Sequence, residues 1–306
     1  MSVRELVVLG TASQVPTKER AHHGALLRFD DEAILLDPGE GTQRQLLLAG
    51  ISVTSLTRVC ITHAHGDHCL GLPGVIQRCS LDGRTIPLTV HFPVEAAPFV
   101  DRLRHAASFR EVTPIELRPT GPGVVATTER LTIRADALSH SLPTLGWRFD
   151  EPDAWRLLPD RAAAVGLHGP ARSELLREGR VRVGNRTVTV EEVSVPRPGQ
   201  SVAFVMDTRW CDGAVALAQG VDLLVVEATF LESERDLAED AGHLTAAQAA
   251  QLGADAGARR VVLTHLSQRY PDPAGHLAEA RAAAPELDLV VATDLQRIPL
   301  PARHRP

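Results

Sequence analysis

The sequence predicts an α+β fold of stacked sheets with helices on the outside, on three observations. Apolar, β-branched runs outnumber helical ones, and many follow one another with no helix between, unlike a single doubly wound sheet. The 306 residues, 44% apolar and 23% charged, suffice to bury a sizeable core in one large domain or two small ones. No low-complexity stretch and no repeat of fixed period interrupts the pattern.

Runs bounded by Gly, Pro or Asp predict strands at Glu5–Gly10, Ala25–Arg28, Ala33–Asp37, Val59–Thr62 and Leu88–Phe92. Further strands are predicted at Leu131–Ala137, Gly146–Phe149, Val181–Val183, Ser201–Met206, Leu223–Val226, Val261–Thr264 and Leu289–Ala292. Helical spacing predicts Gly41–Ala49, Leu72–Cys79, Ala97–Ala107, Ala214–Gln219, Ala246–Ala256 and Leu277–Ala283. The helix from Ala246 carries a start signal, because Thr245 and Gln248 form a T-x-x-Q capping box. Residues 151–200 read differently. They are rich in Pro and Gly, and from Trp155 to Arg186 they hold seven arginines against three acids. Such a run is either a solvated surface insertion or a basic arm for a polyanion.

Thirty-two basic and 38 acidic side chains give a net charge of −6, which at first sight argues against nucleic acid. No apolar run approaches the ~20 residues of a spanning helix. The opening residues lack a basic head and apolar stretch, and Cys60, Cys69, Cys79 and Cys211 have no paired spacing. A cytoplasmic protein with no membrane association is expected.

The sharpest feature is His63-Ala64-His65-Gly66-Asp67-His68, directly after the apolar strand Val59-Cys60-Ile61. Four ligand-type side chains in six positions crowd imidazoles and a carboxylate into one turn, which has little use without a cation. The spacing lets His63 and His65 reach one metal while Asp67 and His68 reach a second. His140, Asp207 and His265 each stand at the carboxyl end of a predicted strand, where open-sheet sites gather. Seven candidate ligands thus come from four strand ends. Nitrogen and oxygen donors suit zinc best, with manganese or iron also accommodated. Two such cations ~3.5–4 Å apart would activate a water, so hydrolysis is expected, with Asp207 bridging and Asp67 placed to accept a proton.

These residues resemble the metallo-β-lactamase superfamily, whose mark is HxHxDH followed by later His, Asp and His ligands. Within it the chain is similar to the ribonuclease Z family of tRNA 3′ endonucleases. The narrower likeness rests on Leu9–Ser13 with Val15–Arg20, Asp37–Gln43, Gly71–Gly74, Asp207–Arg209, Glu227–Phe230, Gly242–Thr245 and Thr264–Tyr270. The resemblance implies a four-layer αββα sandwich spanning residues 1–306, with 151–200 as an inserted, protruding exosite arm. It implies two zincs per subunit: His63, His65 and His140 on one, Asp67, His68 and His265 on the other, Asp207 between. Asp67 would be the general base. His243 would lie against the scissile phosphate, and Glu227 would orient it. Arg172, Arg177 and Arg180 match the arm's tip, where they would contact phosphates of precursor tRNA. A homodimer is implied as well, one subunit's arm holding the other's substrate.

The chain departs from the family pattern at Ala21 and His22, Pro38 and Met206. His22 and His23 are expected to be plain surface residues, Cys69 a buried small side chain, and the tryptophans core residues. Two rival readings remain. One is a hydrolase of the same fold acting on a small phosphodiester, sulfate ester or lactone. The other is a non-catalytic RNA-binding module, which the complete ligand set disfavours. The net charge of −6 then matters less than its distribution, since bound cations and an arginine-rich segment would concentrate positive charge locally.

Overall fold

Short, nearly continuous apolar runs, buried on both faces, build the central strands of two seven-stranded sheets in a computed structural model that describes residues 3–303. The first runs, in spatial order, through Arg297–Pro299, Arg4–Gly10, Gly24–Phe29, Glu32–Leu36, Arg58–Cys60, Leu88–Pro93 and Ile115–Thr120. Its last four strands are parallel neighbours. The second sheet runs through Asp288–Val291, Arg260–Thr264, Leu223–Glu227, Ser201–Val205, Thr144–Asp150, Thr132–Leu138 and Gly123–Thr127, and its first four strands are parallel.

Three apolar clusters order these into layers. Between the sheets, Leu6, Leu27 and Ile34 meet Trp147, Phe204 and Val262. On the outer face of the first sheet, Val59 and Val90 pack with Leu46 and Ile76, from the helices Thr42–Leu48 and Leu72–Leu81. On the outer face of the second, Val205 and Val226 pack with Leu217, Leu252 and Ala280, from the helices Asp212–Ala218, Ala246–Asp255 and Ala274–Ala283. The order is helix, sheet, sheet, helix, as expected from the sequence.

All twelve expected strands form within a few residues of their predicted ends. Three strands of these sheets that the sequence pattern does not reveal are Ile115–Thr120, which carries Pro119, Gly123–Thr127, and Arg297–Pro299. All three are edge strands, where the missing ladder donor of a proline is tolerated. Among the described residues, no helix is long and apolar enough to cross a membrane.

The described residues divide into two compact units, 3–149 with 201–301 and 150–200 with 302–303. The smaller has its own core of Leu167, Leu175, Val181, Val188 and Val193. It contains a hairpin, Arg180–Val183 with Arg186–Thr189, whose first strand was expected at Val181–Val183, and a helix, Pro170–Glu178, that helical spacing does not reveal. That helix begins with proline in its first turn and ends at left-handed Gly179, a start-and-stop pair readable in the sequence.

Candidate metal centre

The parallel strands deliver their carboxyl ends to one rim of the sandwich, and the seven expected ligands meet there. Ligand-type atoms of His63, His65, His140 and Asp207 lie within 4.8 Å of one another, as do those of Asp67, His68 and His265. Asp207 ties the groups together, its Oδ2 3.3 Å from His68 Nε2, 3.7 Å from His63 Nε2 and 3.9 Å from His140 Nε2. His68 Nε2 stands 3.1 Å from His265 Nε2, and His63 Nε2 2.8 Å from His65 Nδ1. Imidazole nitrogens this close, ringed by carboxylates, fit cations in the space between them.

The opposite ring atoms are anchored, which fixes each ring's direction. His63 Nδ1 meets the Thr62 hydroxyl at 2.9 Å, His68 Nδ1 the Asp37 carboxylate at 2.8 Å, His140 Nδ1 the Gly242 carbonyl at 2.9 Å, and His265 Nδ1 the Thr229 hydroxyl at 3.0 Å. Asp37 also accepts from the Thr62 amide and hydroxyl. Asp37 and His265 have φ of 46° and 59°, left-handed values that non-glycine residues rarely hold outside constrained sites. Asp67 Oδ2 accepts from the Gln14 amide at 2.8 Å.

Three of the imidazoles and both carboxylates carry charge states that suit a cation. Burial, with neighbouring imidazoles, pulls His63, His65 and His140 below the usual range, leaving them neutral. Burial works against ionisation of Asp67 and Asp207, yet the surrounding histidines overcome it and hold both well below normal. His68 goes the other way, its burial outweighed by Asp207, Asp67 and Asp37. These residues form a His and Asp cluster whose donor set could hold divalent cations.

Beside the cluster, His243 Nδ1 lies 2.9 Å from Glu227 Oε1. Glu227 is fully buried and accepts from the Thr208 amide at 2.7 Å and from the Thr229 hydroxyl at 2.5 Å. Burial lowers the basicity of His243, but Glu227 and Asp207 outweigh it and raise its pKa to about 9. With Glu227 wholly buried, the two do not form a surface ion pair. The capping box beside them forms: Gln248 N–H donates to Thr245 Oγ1 at 3.2 Å, and Thr245 N–H to Gln248 Oε1 at 2.9 Å. A cavity of about 430 Å³ is lined by His65, Asp67, His140, Asp207, His243 and His265 among others, so both groups face one space.

Two expectations change. His23 is buried, 1% exposed, with ring centroids 5.3–5.5 Å from His265, His68 and Phe204, so its predicted surface role fails. Its backbone is held on both sides, His23 N–H donating to the Ala12 carbonyl at 3.1 Å and Gly39 N–H to the His23 carbonyl at 3.2 Å. Asp37, Thr62 and Thr229, which hold the rings, were not singled out. Asp37 and Thr229 stand inside the Asp37–Gln43 and Glu227–Phe230 blocks, which was the available signal. Cys69 is buried, as is Trp147, while Trp210 is exposed.

Arg172, Arg177 and Arg180 are exposed in the smaller unit. Arg172 and Arg177 lie on the helix Pro170–Glu178, and Arg180 opens the hairpin. Over residues 150–200, eight arginines meet eight acids, so the basic excess is confined to Trp155–Arg186.

Comparison with known proteins agrees with this architecture. A metallo-β-lactamase superfamily profile matches residues 18–150, and a β-lactamase superfamily domain matches residues 165–266. The chain is 54% identical to ribonuclease Z of Salinispora arenicola over 100% of its own length and 99% of the relative's. It is 55% identical to ribonuclease Z of Nocardia farcinica, covering 99% of this chain and 100% of the relative. Human tRNase Z, short form, shares the fold with a TM-score of 0.70 at 24% identity, over 97% of this chain and 100% of the other.

Proposed function

This chain belongs to the ribonuclease Z family of the metallo-β-lactamase superfamily, and on that premise we propose that it is a zinc-dependent endoribonuclease. It removes the 3′ trailer from tRNA precursors and leaves a 3′-hydroxyl on the tRNA. The observation that carries the reading is one cavity lined both by a seven-ligand cluster and by the His243–Glu227 pair.

His63, His65 and His140 would hold one Zn²⁺ and Asp67, His68 and His265 the other, with Asp207 shared; Mn²⁺ or Fe²⁺ suit the same donors. Two cations so held supply a nucleophilic water at neutral pH and offset charge on the phosphate. Asp67, fixed by the Gln14 amide, accepts the proton of the attacking water. His243, kept protonated by Glu227, donates a proton to the departing 3′ oxygen. Glu227 holds the imidazole in place through bonds it receives from Thr208 and Thr229.

The smaller unit is read as an inserted exosite, with Arg172, Arg177 and Arg180 contacting tRNA phosphates through backbone geometry rather than base identity. A homodimer in the cytoplasm completes the reading, supported by the family and by four free cysteines. The test is cleavage of matched precursors, with and without an encoded CCA, by the purified zinc-loaded protein. A cut mapped to the 3′ side of the acceptor stem is expected. Failure to cut either precursor, with hydrolysis of small phosphodiesters intact, would point to the small-molecule hydrolase instead.

A further inference from the structure

A second cavity, about 550 Å³, opens where the edge strands Ile115–Thr120 and Gly123–Thr127 of the two sheets come together. It shares no lining residue with the metal centre. Strand alternation sets its chemistry. Leu88, Val90 and Phe92 face the outer apolar layer, which turns Thr89 and His91 inward, toward the other sheet. The register then makes two cross-strand rows, Arg58–Thr89–Glu116 and Cys60–His91–Arg118. Elsewhere the same inner face carries Leu27, Ile34 and Leu36. At this edge it carries Arg58, His91 and Arg118, and the opposite wall is Val124, Val125 and Ala126.

Polar groups placed where a sandwich is normally apolar call for a partner. His91 is 4% exposed, and neither ring nitrogen has a hydrogen-bond partner among the described residues. The buried Nε of Arg58 has none either. That Nε is in ion-pair range of Glu32 Oε2, 3.8 Å away and outside the lining, and Arg118 donates to Glu116 at 2.9 Å, so the lining itself holds two guanidinium groups and one carboxylate. Burial, then Arg58 and Arg118, push His91 down to about 4, leaving a neutral ring with one N–H to donate. Guanidinium forks and an imidazole N–H are the donors that phosphate oxygens accept best, and the aliphatic wall suits the remainder of a small molecule.

We propose that this cleft binds a phosphate monoester of nucleoside monophosphate size, its phosphate between Arg58, His91 and Arg118 and its apolar part against Val124–Ala126. The site goes beyond RNA cleavage and does not depend on it. Its test is a titration of the zinc-loaded protein with cytidine 5′-monophosphate, followed through the ring ¹H and ¹⁵N signals of His91. Phosphate bound at the metal centre leaves those signals in place, so they report this cleft alone. A saturable shift is expected with the nucleotide and none with cytidine. Arg118→Ala should weaken the nucleotide about tenfold. That side chain is 60% exposed, so folding is not at stake, and cleavage of precursor tRNA should be unchanged. His91 signals that stay fixed up to ~10 mM nucleotide overturn the site. So does an Arg118→Ala protein that binds undiminished. Equal shifts with cytidine overturn phosphate recognition, and equal affinity for inorganic phosphate overturns the nucleotide-sized occupant.

Discussion

In the larger unit, His63, His68, Asp207 and Glu227 are all but fully buried, and the two histidines and Glu227 are held by further hydrogen bonds. In the smaller unit, Arg172, Arg177 and Arg180 stand in solvent. One region spends folding energy to hold charges in a fixed array; the other leaves charge free to move. The difference matches two tasks. Phosphoryl chemistry needs atoms placed to fractions of an ångström, so each ring needs an anchor. Holding a nucleic-acid backbone needs charge density with little geometry. Disturbing the first region should therefore cost turnover, and disturbing the second should cost affinity.

The largest effect should follow metal removal. Dialysis against a chelator is expected to reduce cleavage by more than about 1,000-fold, with recovery on adding zinc. RNA retained on the chelated protein, measured by filter binding, should fall far less. Equal losses of cutting and binding would break the division between the two regions. Asp67→Ala comes next, with kcat reduced by about 10²–10⁴-fold while RNA binding largely survives. Cleavage retained in this variant refutes Asp67 as the proton acceptor.

Glu227→Gln sharpens the same point with a milder loss. Glutamine keeps an oxygen for the Thr208 amide but drops the charge that keeps His243 protonated. A reduction of about 10–100-fold in kcat is expected, with KM little changed. Paired with His243→Ala, the two losses should not add, because both act on one proton. Additive losses would separate Glu227 from His243.

The metal-bearing region was legible in the sequence because its signals are local. HxHxDH packs four donors into six residues, and each later ligand follows an apolar strand that periodicity reveals. What sequence could not show is how those strand ends are held. Asp37 reaches His68 across 31 residues, and Thr229 reaches His265 across 36. Such anchors depend on sheet register, and a lone Asp or Thr carries no mark of it. His23 failed for the same reason: its burial is set by His68, His265 and Phe204, none of them near it in sequence. The smaller unit was read mainly as a charged, Pro- and Gly-rich insertion. Its seven-residue core is drawn from five short elements and one turn, too few apolar residues in each for a periodic pattern. Its acids near both ends also balance the arginines, which a window from Trp155 to Arg186 leaves out.

The smallest expected effect belongs to those arginines. Among the described residues, Arg177 pairs with its neighbour Glu178 on the surface, and such a pair contributes little and can yield to a phosphate. Arg172 donates its Nε to the Leu167 carbonyl, which fixes the stem and leaves its terminal nitrogens to reach outward. Arg180 alternates with buried Val181 on the hairpin, so its side chain stays on the exposed face. Replacing all three with alanine should leave the small core of Leu175 and Val181 intact, because none of the three is buried. KM for precursor tRNA should rise several-fold, and the slope of log affinity against log salt should flatten by up to ~2–3, one phosphate contact per arginine. Turnover of a small bis-phosphodiester reporter should not change, since the cluster around Asp207 is untouched. A triple variant with an unaltered salt slope would remove these arginines from the RNA interface. One that lost reporter turnover would show instead that the two regions are coupled, and the division of labour between placed and free charge would fail.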